Sequence, residues 1–429
     1  MSKPDIRFNG FNGDWEEKNY KEVFDTSVSN NTFSRAELTS EKTSTKNVHY
    51  GDILIKYNSI LSVKKDDFPF IPDDVKVDSK NFLKNGDIVF ADTAEDETCG
   101  KAVEITDLEN ENVLAGLHTF VARPKFQFQE KYLGYFINSP AYHNQLIPYM
   151  QGTKVTSISK TNVQKTSVKY PNATEQTKIG NLFSQIDSLI SSTQKEHDKL
   201  VSLKKCMLQK MFPKKGCLVP EIRFKGFSGE WVEKKYQEIF DTSISNNTLS
   251  RSELINEKTV IKNVHYGDIL IKYGSILDVE KDDFQFVPDL IKINSKNFLK
   301  NGDIVFADTA EDETCGKATE INNLGKDCVV AGLHTFVARP KEAFANFFLG
   351  YFINSPCYHN QLIPYMQGTK VTSISKSNMY KSVLFYPSLP EQQKIGSYFQ
   401  NLDNLISKQS QELEKLQNVK KTLLSKMFV

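Results

Sequence analysis

The sequence has little of what a membrane protein or a nucleotide-using enzyme needs. No stretch of its 429 residues is apolar for the ~20 positions that a bilayer span requires. The opening Met1-Ser2-Lys3-Pro4-Asp5 has no apolar core, so a signal peptide is not expected. Six cysteines stand at 99, 206, 217, 315, 328 and 357, and none forms a CxxC pair. Zinc and redox motifs are therefore not expected, and the thiols read as reduced, in a cytoplasm. No Gly-x-Gly-x-x-Gly follows a strand pattern and no phosphate-cradling Gly-x4-Gly-Lys-Ser/Thr is present. An excess of one charge is missing too, since the net charge is +1. A chain of this balance that binds a polyanion must gather its basic groups on one face.

What is present is the same text twice. Residues 4–212 align with 220–428 without a gap, at a constant offset of 216. Pro4-Asp5-Ile6-Arg7-Phe8 returns as Pro220-Glu221-Ile222-Arg223-Phe224, and the run 79–102 is identical to 295–318. Solenoid units run ~20–50 residues, so this period is instead that of a whole domain with an appendage.

The first part of each copy reads as mixed α/β, with more strands than helices. Residues 52–57 and 86–92 are short apolar runs rich in β-branched residues after Gly-Asp turns, and read as strands. Residues 118–124 read as a third strand closed by proline, and 132–138 as a helix ending before Pro140. The last part of each copy differs. Between Glu175 and Met211 there is no proline, and the only glycine, Gly180, lies near the start. Apolar residues recur at Ile179, Leu182, Ile186, Leu189, Leu200, Leu203 and Met207. In the second copy they stand at Ile395, Leu402, Leu405, Leu413, Leu416, Val419 and Leu423. Steps of three and four are a coiled-coil seam. A helix of ~36 residues spans ~54 Å, too long to pack wholly on its own domain. Pro213 and Gly216 end the first helix.

The expected class is α+β: two mixed α/β heads alternating with two long helices that pair as an antiparallel coiled coil, with pseudo-twofold symmetry. The expected boundaries are head one over 1–172, spacer helix and linker over 173–219, head two over 220–388 and spacer helix over 389–429. Two equal heads about a dyad suit two inverted half-sites on a duplex.

The segment Pro387-Ser388-Leu389-Pro390-Glu391-Gln392-Gln393-Lys394-Ile395 leads into a leucine-spaced helix ending in Lys426-Met427-Phe428. With the opening Pro220-Glu221-Ile222-Arg223-Phe224-Lys225-Gly226-Phe227 and the run Ala115-Gly116-Leu117-His118-Thr119, it resembles the DNA specificity subunit of type I restriction-modification systems. The resemblance spans the chain, repeat included. Copy one carries Ala173-Thr174-Glu175-Gln176-Thr177 where copy two has Leu-Pro-Glu-Gln-Gln. The resemblance implies that each head reads one half of a bipartite DNA target and that the helices set the half-site spacing. It also implies that the helices dock two modification subunits, which methylate adenine with S-adenosylmethionine. Restriction subunits join in the full complex. The resemblance further implies that this chain itself has no catalytic site and no cofactor, and no membrane partner is expected.

Three enzyme-like fragments read as bland. Asn138-Ser139-Pro140-Ala141-Tyr142 lacks the second proline of an adenine methyltransferase loop and reads as a helix stop. Pro4-Asp5 with Glu16-Glu17-Lys18 imitates a nuclease motif, but copy two replaces the aspartate with Glu221. His118 and His334 have no paired carboxylate or nucleophile within their motif, and read as structural or DNA-contacting.

Candidate DNA contacts need phosphate clamps and base-edge readers. The segment 149–160 recurs unchanged as 365–376. It offers Gln151, Gly152, Thr153, Lys154, Thr156 and Lys160, and again Gln367, Gly368, Thr369, Lys370, Thr372 and Lys376. Glycine permits close approach, hydroxyls and lysines bond phosphate, and glutamine pairs with an adenine edge. The bland alternative is a polar turn before a strand. Lys56, Tyr57, His118 and Thr119, with Lys272, Tyr273, His334 and Thr335, sit at expected strand ends. Each is either core support or a contact. Arg123 reads as structural or phosphate-facing. The acidic loop 92–101 could accept from cytosine N4, or be a plain surface turn or a contact to a modification subunit.

The copies differ more in their helices than in their heads, so the expected target is an inverted repeat with a nonspecific spacer. A ~54 Å rod matches roughly sixteen base pairs. The competing expectation is a stand-alone regulator that binds inverted repeats without modification subunits.

Overall fold

The computed structural model describes residues 3–214 and 216–429, so Met1 and Ser2 of the opening segment lie outside it. It forms two compact units, one of residues 1–194 with 411–429 and the other of 195–410. Both units mix strands and helices. The two long helices, Ala173–Lys210 and Leu389–Lys426, are each cut by the unit boundary. Among the described residues, no helix is long and apolar enough to cross a membrane.

In unit one the strands are β1 (Glu16–Asn19), β2 (Phe24–Asp25), β3 (Thr45–Val48), β4 (Ile60–Ser62), β5 (Phe70–Ile71) and β6 (Ile88–Ala91). They continue with β7 (Thr93–Ala94), β8 (Ala102–Thr106), β9 (Asn112–Ala115), β10 (Thr119–Pro124), β11 (Thr156–Ser157) and β12 (Ser167–Tyr170). The main sheet has the order β2-β10-β6-β8-β4. Its pairs are antiparallel except β4 with β8. A second sheet has the order β5-β3-β9, and β1-β12 and β7-β11 are two-stranded ribbons. Unit two repeats all four sheets in the same order.

The main sheet lies between two apolar cores, which explains why β6 reads as Ile-Val-Phe-Ala with no polar face. Ile88 and Phe90 enter one core with Ala102 and Phe120, while Val89 and Ala91 enter the other with Val103 and Val121. Side chains alternate across a strand, so a strand buried on both faces is apolar throughout.

Residues 52–57, read as a strand, instead fall largely in the helix α1 (Tyr50–Ile55), which corrects that expectation. The His49 side chain caps its start by accepting the Gly51 N–H at 3.2 Å. Asp52 in the first turn takes both guanidinium arms of Arg35 at 2.5 and 3.0 Å. These end contacts outweigh the weak strand preference of two isoleucines. The helix buries Ile53 and leaves Ile55 87% exposed. The expected helix at 132–138 is present as Tyr132–Ile137, and Pro140 opens the next helical turn as well as stopping the last.

The long helices are anchored at both ends. At its start, buried Glu175 takes Arg7 in a bidentate pair at 2.7 and 2.8 Å, and Gln176 bonds the backbone of Gln129 and Pro171. Arg223 and Glu391 repeat that pair at 2.7 Å. Glu and Gln are what copy one keeps of Leu-Pro-Glu-Gln-Gln. Ile179 and Ile186 then pack into the head core of unit one, with Leu182 against it. Ile395 and Leu402 do the same in unit two, where Leu200, Leu203 and Met207 also pack. Leu413 and Leu416 are half-buried, and Leu189, Leu405 and Val419 are exposed.

The far ends carry aromatic contacts to the head cores. Met427 and Phe428 are buried in the core of unit one, where Phe428 stacks on Phe183 at 5.6 Å and meets Trp15 edge-on at 6.3 Å. Met211 and Phe212 are buried in unit two, with Phe212 stacked on Phe399 at 5.8 Å. Each head core is thus closed by the helix end of the other copy. Two ion pairs accompany this: Lys420 with Asp187 at 2.5 Å in unit one, and Lys204 with Asp403 in unit two.

One buried carboxylate fastens a helix to the main sheet. Glu104 of β8 accepts the N–H groups of Lys131 at 2.6 Å and Gly134 at 2.7 Å, at the start of Tyr132–Ile137. Burial pushes its pKa up to about 7. Glu320 stands likewise in unit two, also pushed up by burial to about 7.

Two outcomes follow from these contacts. Phe428→Ala should lower the stability of unit one by ~3–5 kcal/mol in urea unfolding, the usual cost of emptying an aromatic site. Raised carboxyl pKa values mean that the folded state binds protons the unfolded chain releases. The stability from Glu104 and Glu320 is therefore fully present below the ordinary carboxyl range and is lost as pH rises through about 7. Unfolding midpoints of E104Q/E320Q should change less across that window than those of the parent chain.

Candidate nucleic-acid interface

The site is built around Asp92, the residue at which the central strand β6 leaves the sheet. Its backbone is a junction. The Asp92 N–H donates to the carbonyl of His118 at 3.0 Å, and its carbonyl accepts the N–H of Ile158 at 2.8 Å. The Cys99 thiol also points at that carbonyl, at 3.2 Å, and burial pushes this thiol's pKa up to about 11. Three segments distant in sequence therefore meet at the end of one strand.

The segment through Ile158 carries the turn singled out above. Gln151 and Ser157 exchange backbone hydrogen bonds at 2.9 and 2.8 Å, closing a tight loop, and β11 pairs with β7. Gly152 has φ +115°, and a Cβ there would lie 1.9 Å from the carbonyl oxygen of Val155. Only glycine fits that crossing of the chain. Gln151, Gly152, Thr153, Lys154 and Val155 are all exposed, and Thr156 is half-buried in β11. The turn thus projects an amide, a hydroxyl, an ammonium and a methyl-bearing side chain from a rigid base.

His118 lies on the other side of Asp92. Its Nδ1 is 3.4 Å from Asp92 Oδ1 and 3.4 Å from Thr93 Oγ1, and that hydroxyl donates to Asp92 Oδ1 at 2.8 Å. The Tyr50 ring meets the imidazole edge-on at 5.2 Å. His118 has φ +54°, a conformation few non-glycine residues adopt outside special sites.

The remaining candidates turn their polar atoms inward. Thr119 is buried and donates to Gly116 O at 2.6 Å. Tyr57 is buried and donates to Asp67 O at 2.7 Å, and burial pushes its pKa up. Lys160 donates to Thr26 O at 2.9 Å. Lys56 donates to Asp67 O at 2.8 Å and lines a different cleft, with Arg35, Lys42, Lys46 and Lys64. Arg123 is spent on buried Asp87 at 2.7 and 2.8 Å. In unit two, Lys272, Tyr273, Thr335 and Lys376 make the same inward bonds. Of the nuclease-like fragment, Glu16 and Glu17 accept from Tyr170 and Ser167 of β12. The acidic loop is exposed at Glu95, Asp96 and Glu97, with Asp96 bonded to Thr98 of its own turn.

Asp92 and Thr93 belong to the acidic loop named from sequence, but their pairing with His118 was not foreseen, because His118 lies more than twenty residues away and the pairing depends on sheet register. One signal was available: both lie in the run 79–102 that the copies share unchanged. The runs 115–125, 133–140 and 142–160 are also unchanged in copy two. The site is built from these runs, whereas exposed changes such as Glu16 to Val232, Lys64 to Glu280 and Asp74 to Leu290 lie outside them. Unit two reproduces the geometry. His334 Nδ1 is 3.3 Å from Asp308 Oδ1, and Gly368 has φ +121° with its Cβ position 1.8 Å from Val371 O.

Comparison with known proteins gives a consistent result. The family model described as the type I restriction modification DNA specificity domain matches residues 12–201 and again 228–418. The putative type I restriction enzyme MjaX specificity subunit of Methanocaldococcus jannaschii is 25% identical over 358 residues, 79% of this chain and 77% of that protein. The type I restriction enzyme MjaVIII specificity subunit of the same organism is 26% identical over 285 residues, 64% of each chain. Among solved structures, the type I restriction-modification S subunit from M. genitalium has a similar fold. Its TM-score is 0.56 at 16% identity, covering 100% of this chain and 99% of that one. A chain from a structure of a type I R-M system assembly gives 0.53 at 16% identity, with 96% and 97% covered.

The glycine turn makes a direct test. In G152A/G368A the added methyl collides with backbone, and positive φ itself costs about 1–2 kcal/mol per residue. Thermal unfolding should register a loss of that order, and affinity for duplex DNA by fluorescence anisotropy should fall at least about tenfold as the turn opens, a factor equal to ~1.4 kcal/mol.

Proposed function

This chain belongs to the type I restriction modification DNA specificity family, as a non-catalytic specificity subunit with a DNA-recognition role, and from that premise we propose that it reads an inverted repeat. Each head takes one half-site, through the face that carries the glycine turn and the Asp92–His118 pair. The observation that carries this reading is that the two heads present the same exposed side chains on the same hydrogen-bonded frame, while exposed changes fall on other surfaces. Identical readers select identical sequences. A dyad between them would make the two halves inverted.

The reading divides the chain into recognition heads over 1–172 and 220–388 and spacer segments over 173–219 and 389–429. The spacer helices pair as an antiparallel coiled coil and set the distance between half-sites. Supporting this, Asp187 bonds Lys420 while Asp403 bonds Lys204, so a later residue of one helix meets an earlier residue of the other. The leucines left exposed on these helices, Leu189 and Leu405, offer apolar surface for two modification subunits. Those subunits supply S-adenosylmethionine-dependent adenine methylation, and restriction subunits complete a cytoplasmic nuclease assembly.

Methylation mapping in the source organism tests the symmetry. The expected motif has two identical halves in inverted orientation around an unspecified spacer, and two unrelated halves would rule the reading out. Co-purification with a methyltransferase is also expected; a chain that purified alone while binding inverted repeats would favour a stand-alone regulator.

A further inference from the structure

We propose that His118 and His334 clamp DNA phosphates as imidazolium ions, each primed by the aspartate behind it, so that each head takes up one proton on binding. This rests on the reading of the Asp92 face as the DNA-contacting face, and it adds a charge state to that reading.

The geometry defines what the imidazole can do. Nδ1 faces Asp92 Oδ1 and Thr93 Oγ1, and the side chain is 48% exposed. Because the Thr93 hydroxyl gives its hydrogen to Asp92, the Thr93 oxygen and the carboxylate can both only accept at Nδ1, which places the ring proton on Nδ1. Nε2, on the opposite edge of the ring, has no bonding partner among the described residues. A neutral ring in this tautomer presents a lone pair at Nε2 and repels a phosphate oxygen. Protonation at Nε2 turns that lone pair into a charged donor. An imidazolium between Asp92 and a phosphate lies between two anions, the arrangement that most favours its charged form.

The surroundings leave this role to His118. The elements packed against it contribute Asp92 after β6, Thr93 in β7, and His49 and Tyr50 at the start of α1. Behind His49 stand Arg35 and Asp52, already paired with each other. Burial, then Arg35, lower the pKa of His49, whose Nδ1 is taken up in accepting the Gly51 N–H. The exposed carboxylates of Glu95, Asp96 and Glu97 follow β7 in the same loop. They oppose phosphate on this face, and a cation at His118 would add to the Lys154 ammonium in offsetting them. Unit two carries the same set: His334 with Asp308 at 3.3 Å, Thr309 at 3.4 Å and the Tyr266 ring edge-on at 5.2 Å.

The test uses the full chain and a duplex of arbitrary sequence, because phosphate contacts act on any sequence. Fluorescence anisotropy follows Kd as a function of salt from about pH 6 to about pH 8.5, a span that brackets the ordinary imidazole pKa of about 6.5. The wild-type Kd should rise about tenfold per pH unit for each head above neutrality, since one proton is lost per clamp. At low pH, H118Q/H334Q should flatten the log–log salt dependence by about 0.9 per head, one released counterion per lost phosphate contact. At high pH the variant should match wild type. D92N/D308N keeps a hydrogen-bonding side chain but removes the charge, and should move the pH of half-maximal loss downward. A wild-type affinity that does not change across this range overturns the clamp, as does a histidine variant that keeps the full pH dependence. If G152A/G368A loses binding while wild type is insensitive to pH, the clamp fails and the face stands. If the glycine variant binds like wild type, the face itself was misassigned.

Discussion

Each head depends on an aromatic residue that it does not contain. Trp15, Tyr132, Phe136 and Phe183 line a core of unit one that is filled by Phe428, the last aromatic residue of the other copy. Phe212 fills the same position among Trp231, Phe348, Phe352 and Phe399. A void of that size in a close-packed core is costly. Head folding and capture of the helix end are therefore one event in each unit. The Arg7–Glu175 pair fixes where a long helix starts, and the phenylalanine fixes where it stops. Anchors at both ends allow the helix between them to be largely polar, with exposed leucines that no head requires.

That arrangement leaves the end of the main sheet's central strand accessible. The sheet has an apolar core on each face, so neither face is open to a ligand. What remains accessible is the end of its central strand, where β6 runs out at Asp92. A residue there is held by ladder hydrogen bonds on one side and faces water on the other. Asp92 uses its backbone to join His118 and Ile158 and its side chain to orient an imidazole and a hydroxyl. Rigid scaffolds commonly place their readers on such loops.

The duplication makes that strand end a pair. Family membership establishes a DNA-recognition role, and the proposed surface for it is the one that the internal repeat keeps unchanged. Surfaces that differ between copies, such as the turn with Lys64 in one and Glu280 in the other, have no common ligand to satisfy. Lys56 illustrates the distinction: it is retained as Lys272, yet in both copies its ammonium is spent on a backbone carbonyl. Retention alone marks a structural residue as readily as a contact. Retention with exposure and a rigid frame is the ground on which the turn at Gly152 and the imidazole at His118 are proposed as contacts.

Much of this was legible before folding. The repeat, the long helices, the strand at 86–92 and the glycine turn follow from patterns a few residues long, because helical spacing, β-branched runs and glycine backbone freedom are local properties. The helix at 50–55 was misread because its local signals conflict: two isoleucines favour a strand, and only the Arg35–Asp52 pair and the His49 cap, one of them formed across a loop, decide for a helix. The meeting of Asp92 with His118 and of Phe428 with Phe183 was not legible at all. Sequence by itself determined the doubling and those elements whose local signals agree. Tertiary structure alone decided which side chains face one another, because strand register and helix anchoring join residues whose separation along the chain carries no periodic signal.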